Sequence, residues 1–146
     1  MFREIRVTRQ PTDGRKRRWY QSDYFDLFVW YVKHEDGRTP EHRREFVGMQ
    51  LCYDITSRQR TLEWHAQRGF AHHRVDKASD SMTDHGAAAA ELIAGGRFDA
   101  DVVLPRFMKD AGSLPPLVRD FVIHKLVLYA KAQQAAEPTA TDGANG

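Results

Sequence analysis

The chain has 146 residues, of which 41% are hydrophobic and 29% are charged, a balance typical of a globular protein. This length suits one domain that needs no disulfide, and the single cysteine, Cys52, excludes an intramolecular one. We find neither a charged-then-apolar leader nor an apolar run of about 20 residues. We therefore expect a cytoplasmic protein that does not cross a membrane.

The net charge of +2 conceals a basic N-terminal segment. Residues 1–20 hold seven basic and two acidic side chains, and the densest part is Arg15-Lys16-Arg17-Arg18. Such a cluster is typical either of a nucleic-acid contact or of a hairpin edge that repels other strands. We favour the hairpin edge.

The stretch 24–32 is apolar on both of its alternating faces and is predicted to be the central strand. Asp26 is its one charged residue. A strand of this kind is usually covered on both sides. We therefore expect helices against one face, and a curled sheet, a ligand or a partner against the other.

Alternation predicts further strands near the N-terminus and over residues 45–55, 60–66 and 70–76. If Arg68 and Gly69 form a two-residue turn, His65 faces His72, and His73 lies on the apolar face. The polar face of this hairpin then collects Thr61, Glu63, His65, His72, Arg74 and Asp76.

Two helices are predicted after the strands. The first, over 99–111, contains Pro105, which either falls in the first turn of a helix starting near Leu104 or kinks a longer one. The second runs to about Gln134 and is apolar on two sides. Residues 86–95 fit either a short helix or a final edge strand.

The order of strands and then helices predicts an α+β fold. We expect an antiparallel meander of about five or six strands, with two or three C-terminal helices packed on one face. Residues 1–134 form a single domain in this interpretation, and residues 135–146 form a disordered tail.

The polar face of the second hairpin is the best candidate site, because histidines beside carboxylates can bind a ligand or exchange protons. Ordinary cross-strand pairs, such as Glu63 opposite Arg74, explain the same residues without a site. Rings around Asp26 would strip water from its carboxylate, which then needs partners. The candidate ligand-binding residues are Asp26, Gln50, Asp54, Glu63, His65, His72 and Asp76.

Motifs with a specific chemistry do not occur. We find no Gly-rich phosphate loop, serine nucleophile elbow, Cys-x-x-Cys or His-Glu-x-x-His, and no spacing that matches a metal site. We predict no metal and no cofactor, and we rank binding above catalysis.

Several segments together are similar to a group of small uncharacterised bacterial proteins. They are Trp19 with residues 25–30, residues 50–54, 62–64 and 69–76, and more loosely the Leu-Pro-Pro helix at 114–116. The resemblance implies neither a substrate nor a mechanism.

Three functions remain open. The first is a non-enzymatic binding or interaction protein, homodimeric or with a protein partner, that uses the second apolar side of the C-terminal helix. The second is a small-molecule or enzymatic site between sheet and helices. The third is nucleic-acid contact through Arg15, Lys16, Arg17 and Arg18, which ranks last because the nearby rings belong to a strand expected to be buried.

Overall fold

The computed structural model of the chain describes residues 1–6, 9–32, 45–75, 92–94 and 96–136. Within these residues, seven strands form one antiparallel sheet in chain order, followed by two helices. The strands are β1 (Arg3–Ile5), β2 (Arg15–Gln21), β3 (Phe25–Val32), β4 (Glu45–Tyr53), β5 (Arg60–His65), β6 (Gly69–Val75) and β7 (Leu92–Ala94). The helices are α1 (Ala100–Asp110) and α2 (Pro116–Ala136), joined by a 3₁₀ turn, Ala111–Ser113.

This is the predicted α+β meander with helices on one face. The seventh strand, one more than the five or six predicted, is β7. It confirms the edge-strand alternative for the last part of residues 86–95. Residues 86–91 lie outside the described ranges. Pro105 lies inside α1, so that helix is the longer of the two predicted forms.

One face of the sheet packs against both helices. The ring of Phe25 on β3 meets that of Phe107 on α1 edge-on, with 5.6 Å between centroids. The ring of Phe2 lies 5.7 Å from Phe25 and 5.5 Å from Phe107. The fully buried side chains of this core include Phe25, Leu27, Val29, Met49, Leu51, Leu62, Phe98, Val103, Phe107, Val122 and Leu126. Among the described residues, a packed apolar core therefore lies in the region in which a site between sheet and helices was predicted.

The two apolar sides of α2 are largely covered within the chain. Val122 and Leu126 are fully buried, and Ile123 packs against the core. Phe121 stacks on Phe46 of β4 with 4.5 Å between centroids. Leu117 and Leu128 stay exposed, with 43% and 40% of their surfaces accessible. The apolar surface left on α2 is therefore smaller than the sequence suggested.

The predicted register of the β5–β6 hairpin is wrong. The turn has three residues, 66–68, and Gly69 follows it with a φ of +75°, a left-handed conformation that favours glycine. Leu62 consequently pairs with His72, and Thr61 with His73. Because side chains alternate along a strand, this shift moves His72 to the face with the helices and His73 to the other face.

Candidate functional site

The face of the sheet turned away from the helices is called the helix-free face here. Within the described residues neither helix lies against it, and its aromatic side chains are half-buried rather than buried. Its members follow from the register of β2 to β6. They include Arg15, Arg17, Trp19, Gln21, Asp26, Phe28, Trp30, Val32, Gly48, Gln50, Cys52, Thr61, Glu63, His65, Ala71 and His73.

An aromatic row crosses this face and consists of Trp19, Phe28, Trp30 and His65. Trp19 lies directly opposite Phe28 in the β2–β3 pairing, and their rings stack at 5.3 Å and 18°. Phe28 and Trp30 stack at 6.2 Å and 29°, and Trp30 lies 6.5 Å from the His65 ring. Because stacked rings turn their faces towards one another, the row presents mainly ring edges to solvent.

Gly48 allows the row to cross β4. It lies between Trp30 and His65 in the register, and a Cβ there would stand 3.6 Å from Trp30 Cε3 and 3.3 Å from His65 Nδ1. The two rings therefore occupy the space that a side chain would fill. A glycine inside a strand is the sequence signal for such a close approach, and our prediction did not use it.

Asp26 is held by two donors from β2. The Nε1–H of Trp19 and the Nε2–H of Gln21 both donate to its Oδ1 at 2.9 Å. The sequence predicted that this carboxylate needs partners, and the register of β2 and β3 identifies them as Trp19 and Gln21. These bonds replace water on the carboxylate and fix the orientation of Trp19.

Cys52 is buried beside Asp26 in the same face. The hydroxyl of Thr61 donates to its Sγ at 3.4 Å, and the amide of Gln50 does so at 3.6 Å. Burial raises the pKa of the Cys52 thiol, although the Thr61 bond lowers it. Cys52 is therefore held as a thiol and is not prepared as a nucleophile.

The structure brings together four of the seven predicted ligand residues. All four lie on the helix-free face: Asp26, Gln50, Glu63 and His65. The predicted site between sheet and helices would lie on the opposite side of the sheet. Glu63 pairs with Ala71, so the predicted Glu63–Arg74 pair does not form. Asp54 lies in the turn after β4 with a φ of 54°. Asp76 lies outside the described residues.

His72 belongs to a partly buried cluster on the helix side. The hydroxyl of Tyr53 donates to its Nε2 at 2.6 Å, and its Nδ1–H donates to the Gly96 carbonyl at 3.1 Å. The carbonyl only accepts, which fixes this tautomer. Burial lowers the pKa of His72 and raises that of Tyr53 to about 12. These neutral groups tie the strands to the chain before α1, and they do not meet His65.

The basic run lies within β2, so its side chains alternate between faces. Arg15 and Arg17 lie on the helix-free face, whereas Lys16 and Arg18 lie on the other. Arg15 forms an ion pair with Asp13 at 2.7 Å. The guanidinium of Arg17 lies 5.8 Å from the centre of the Phe28 ring. The four residues therefore form no continuous basic strip.

A pocket of about 370 Å³ opens at the end of the helix-free face, where the aromatic row reaches His65. Burial and the nearby charges of Arg68 and Arg15 lower the pKa of His65, against an opposing effect from Glu63. Sequence reasoning named His65 but missed Arg68 as a member of this site. The lining residues are Asp13, Arg15, Val32, Val47, His65, Ala66, Gln67 and Arg68.

No family model, curated protein or solved structure matches this chain. The resemblance to small uncharacterised bacterial proteins therefore stays a prediction, and function has to be argued from the site. Across the ranges that the structure describes, no helix is long and apolar enough to cross a membrane. The same residues contain no group of three or more His, Cys, Asp or Glu side chains that could hold a metal ion.

Proposed function

We propose that the protein is a non-enzymatic interaction protein that self-associates through its helix-free face. The observation that carries this proposal is the aromatic row, Trp19–Phe28–Trp30–His65, half-exposed on a sheet face that neither helix covers in the described residues. A contiguous apolar patch of this kind is typical of an association surface. The proposal keeps self-association but moves it from α2 to the sheet.

The polar groups of this face favour burial against a partner. Asp26 already accepts two hydrogen bonds, and Cys52 already accepts from Thr61 and Gln50. Burying a polar group is costly mainly when its hydrogen bonds are lost. A partner that covers the centre of this face therefore leaves Asp26 Oδ1 and the Cys52 thiol paired, and it has to supply a donor only for Asp26 Oδ2.

Charges around the row favour a second copy of the same chain as the partner. Arg17 lies on β2 and Glu63 lies on β5, and neither forms a salt bridge within the described residues. A two-fold axis parallel to the strands, between β3 and β4, would lay β2 of each copy across β5 of the other. In the sheet register Arg17 is level with His65 and lies two residues along the strand from the level of Glu63. The Arg17 side chain would therefore reach diagonally, over about 7 Å along the strand, to the partner's Glu63, and both symmetry-related contacts would be attractive.

The size of the face predicts a modest affinity. Five strands span about 19 Å, and seven residues of a strand span about 23 Å, which gives a projected area of about 400 Å². Stable interfaces bury about 800 Å² on each partner. We therefore expect a dimer with a micromolar dissociation constant rather than an obligate one.

Stacking of single-stranded nucleic acid on the row is the competing function. Bases stack on ring faces, whereas here the faces of Trp19, Phe28 and Trp30 are turned largely towards one another. The basic run is also divided between the two faces of the sheet. These two observations favour a protein partner.

Sedimentation velocity from 1 to 200 µM tests the proposal. We expect a concentration-dependent dimer in the wild type, at least tenfold weaker association in Arg17→Glu and in Glu63→Arg, and recovery in the double variant. Leu128→Lys, on the exposed side of α2, is the matched control and should dimerise normally. Circular dichroism confirms that each variant is folded.

A strictly monomeric wild type would overturn the proposal. Loss of the dimer in Leu128→Lys alone would return the interface to α2. Saturable binding of a single-stranded oligonucleotide by a monomer, abolished in Arg17→Glu, would replace self-association with nucleic-acid binding.

A further inference from the structure

We propose that the pocket at the His65 end of the helix-free face binds a small oxyanion that carries an apolar group, such as an organic phosphate or carboxylate. This inference goes beyond self-association and does not depend on it. The pocket lies at the rim of the face, beside the turn that follows β5.

The shape and lining of the pocket suit a small molecule with two chemical ends. Its volume of about 370 Å³ lies within the range of small-molecule sites. Val32 and Val47 supply an apolar part of the lining, and Ala66 adds to it. Arg15, His65 and Arg68 supply hydrogen-bond donors from three different segments of the chain.

Arg68 is the principal anion-binding group in this proposal. It lies in the exposed turn, and within the described residues its guanidinium forms no ion pair. A guanidinium presents a planar fork of donors that matches a carboxylate or a phosphate. An arginine that is not engaged by a carboxylate can bind such an anion without first breaking an ion pair.

Arg15 is a second cation whose charge is partly offset. Its Nε and Nη2 both approach Oδ2 of Asp13 at 2.7 Å, so these donors are occupied. The carboxylate of Asp13 also lines the pocket and opposes an incoming anion. Asp13 is therefore predicted to weaken anion binding.

His65 completes the site as a group that responds to the anion. Arg68, Arg15 and Glu63 are the charges that act on its imidazole, and burial together with the two arginines lowers its pKa. A bound anion would offset the arginine charges and favour the imidazolium. Binding should therefore raise the pKa of His65, which gives a readout confined to the pocket.

Isothermal titration calorimetry with phenyl phosphate, benzoate and benzyl alcohol tests the site and its ligand class. We expect saturable binding of at least one of the two anions and none of the uncharged alcohol. The anion that binds more tightly identifies a phosphate or a carboxylate ligand. Inorganic phosphate should bind more weakly than phenyl phosphate because it lacks the apolar part.

Two variants that should change the anion affinity in opposite directions make the test specific. Arg68→Ala should weaken binding about tenfold, because it removes a charge-assisted hydrogen bond. Asp13→Asn should tighten binding, since it removes the opposing charge while an amide oxygen can still accept from the Arg15 backbone, as Oδ1 now does at 3.2 Å. The matched control is Arg58→Ala, an exposed arginine in the turn at the other end of β5.

Histidine chemical shifts followed through a pH titration complete the experiment. We expect phenyl phosphate or benzoate, whichever binds, to raise the pKa of His65 in the wild type and to raise it less in Arg68→Ala at the same anion concentration. The proposal is overturned if neither anion binds at millimolar concentration. It is also overturned if Arg68→Ala and Arg58→Ala bind equally well, or if bound anion leaves His65 unchanged.

Discussion

The two faces of the sheet bury their aromatic side chains in different ways. On the helix side, Phe25 and Phe107 are fully buried and meet edge-on at 82°, as in a three-dimensional core. On the helix-free face, Trp19 and Phe28 stack at 18° across neighbouring strands and stay half-exposed. A strand can therefore be apolar on both faces although, in the described part of the chain, helices cover only one, because rings on the other face shield one another.

The largest loss of stability is expected when a ring is removed from the helix-side core. Phe107→Ala removes a fully buried ring that contacts Phe2 and Phe25. The lost burial and the cavity left behind should lower the free energy of unfolding by about 3–5 kcal/mol. Urea denaturation measures the change. A loss below about 1.5 kcal/mol would contradict the interpretation of this face as the main core.

Phe28→Ala, on the helix-free face, should have a smaller effect. Its ring is half-exposed, and it loses contacts with Trp19 and Trp30 rather than leaving a closed cavity. We expect a loss of about 1–2 kcal/mol, part of it from the stacked pairs. The same denaturation experiment, at a concentration where the protein is monomeric, gives the value. A loss equal to that of Phe107→Ala would show that the two faces are equally buried.

Acid should destabilise the helix side through His72. Burial lowers the pKa of His72 in the folded protein below its unfolded value of 6.5. Folding therefore favours the neutral form of His72. The contribution of His72 to the free energy of unfolding is complete above pH 6.5 and is lost as the pH falls through the lowered pKa. His65 shifts in the same direction, but it is more exposed and should contribute less.

Unfolding measured between pH 7.5 and pH 5 checks this expectation. Stability should fall over that range in the wild type, and the fall should be smaller in His72→Gln. His124→Gln, an exposed site on α2, is the matched control and should keep the wild-type slope. An unchanged slope in His72→Gln would mean that its bonds to Tyr53 and Gly96 do not hold the neutral form.

Much of the fold could be predicted because it depends on patterns along the chain. The alternation of β3 and β4 and the order of strands and helices were sufficient for the α+β meander. The β5–β6 register was not predictable in this way. Arg68-Gly69 fits both a two-residue turn and a three-residue turn followed by a left-handed glycine, and the choice decides which face His72 occupies.

The site was harder to predict because its groups come from different strands. Asp26 was recognised as a carboxylate in need of partners, but Trp19 and Gln21 reach it only through the β2–β3 pairing. Arg68 joins Arg15 because two turns lie at the same end of the meander. Such proximity depends on register and turn length, which local sequence leaves ambiguous.

Gly48→Ala should have the smallest effect on stability and probes the helix-free face directly. The new Cβ would stand 3.3 Å from His65 Nδ1, a contact that a small movement of the histidine relieves. Because alanine also costs less conformational entropy in a strand than glycine, we expect a net change within about 1 kcal/mol. Near-ultraviolet circular dichroism should nevertheless change, since His65 has to move relative to Trp30. An unchanged spectrum would mean that the two rings do not meet over β4, and the aromatic row would then end at Trp30.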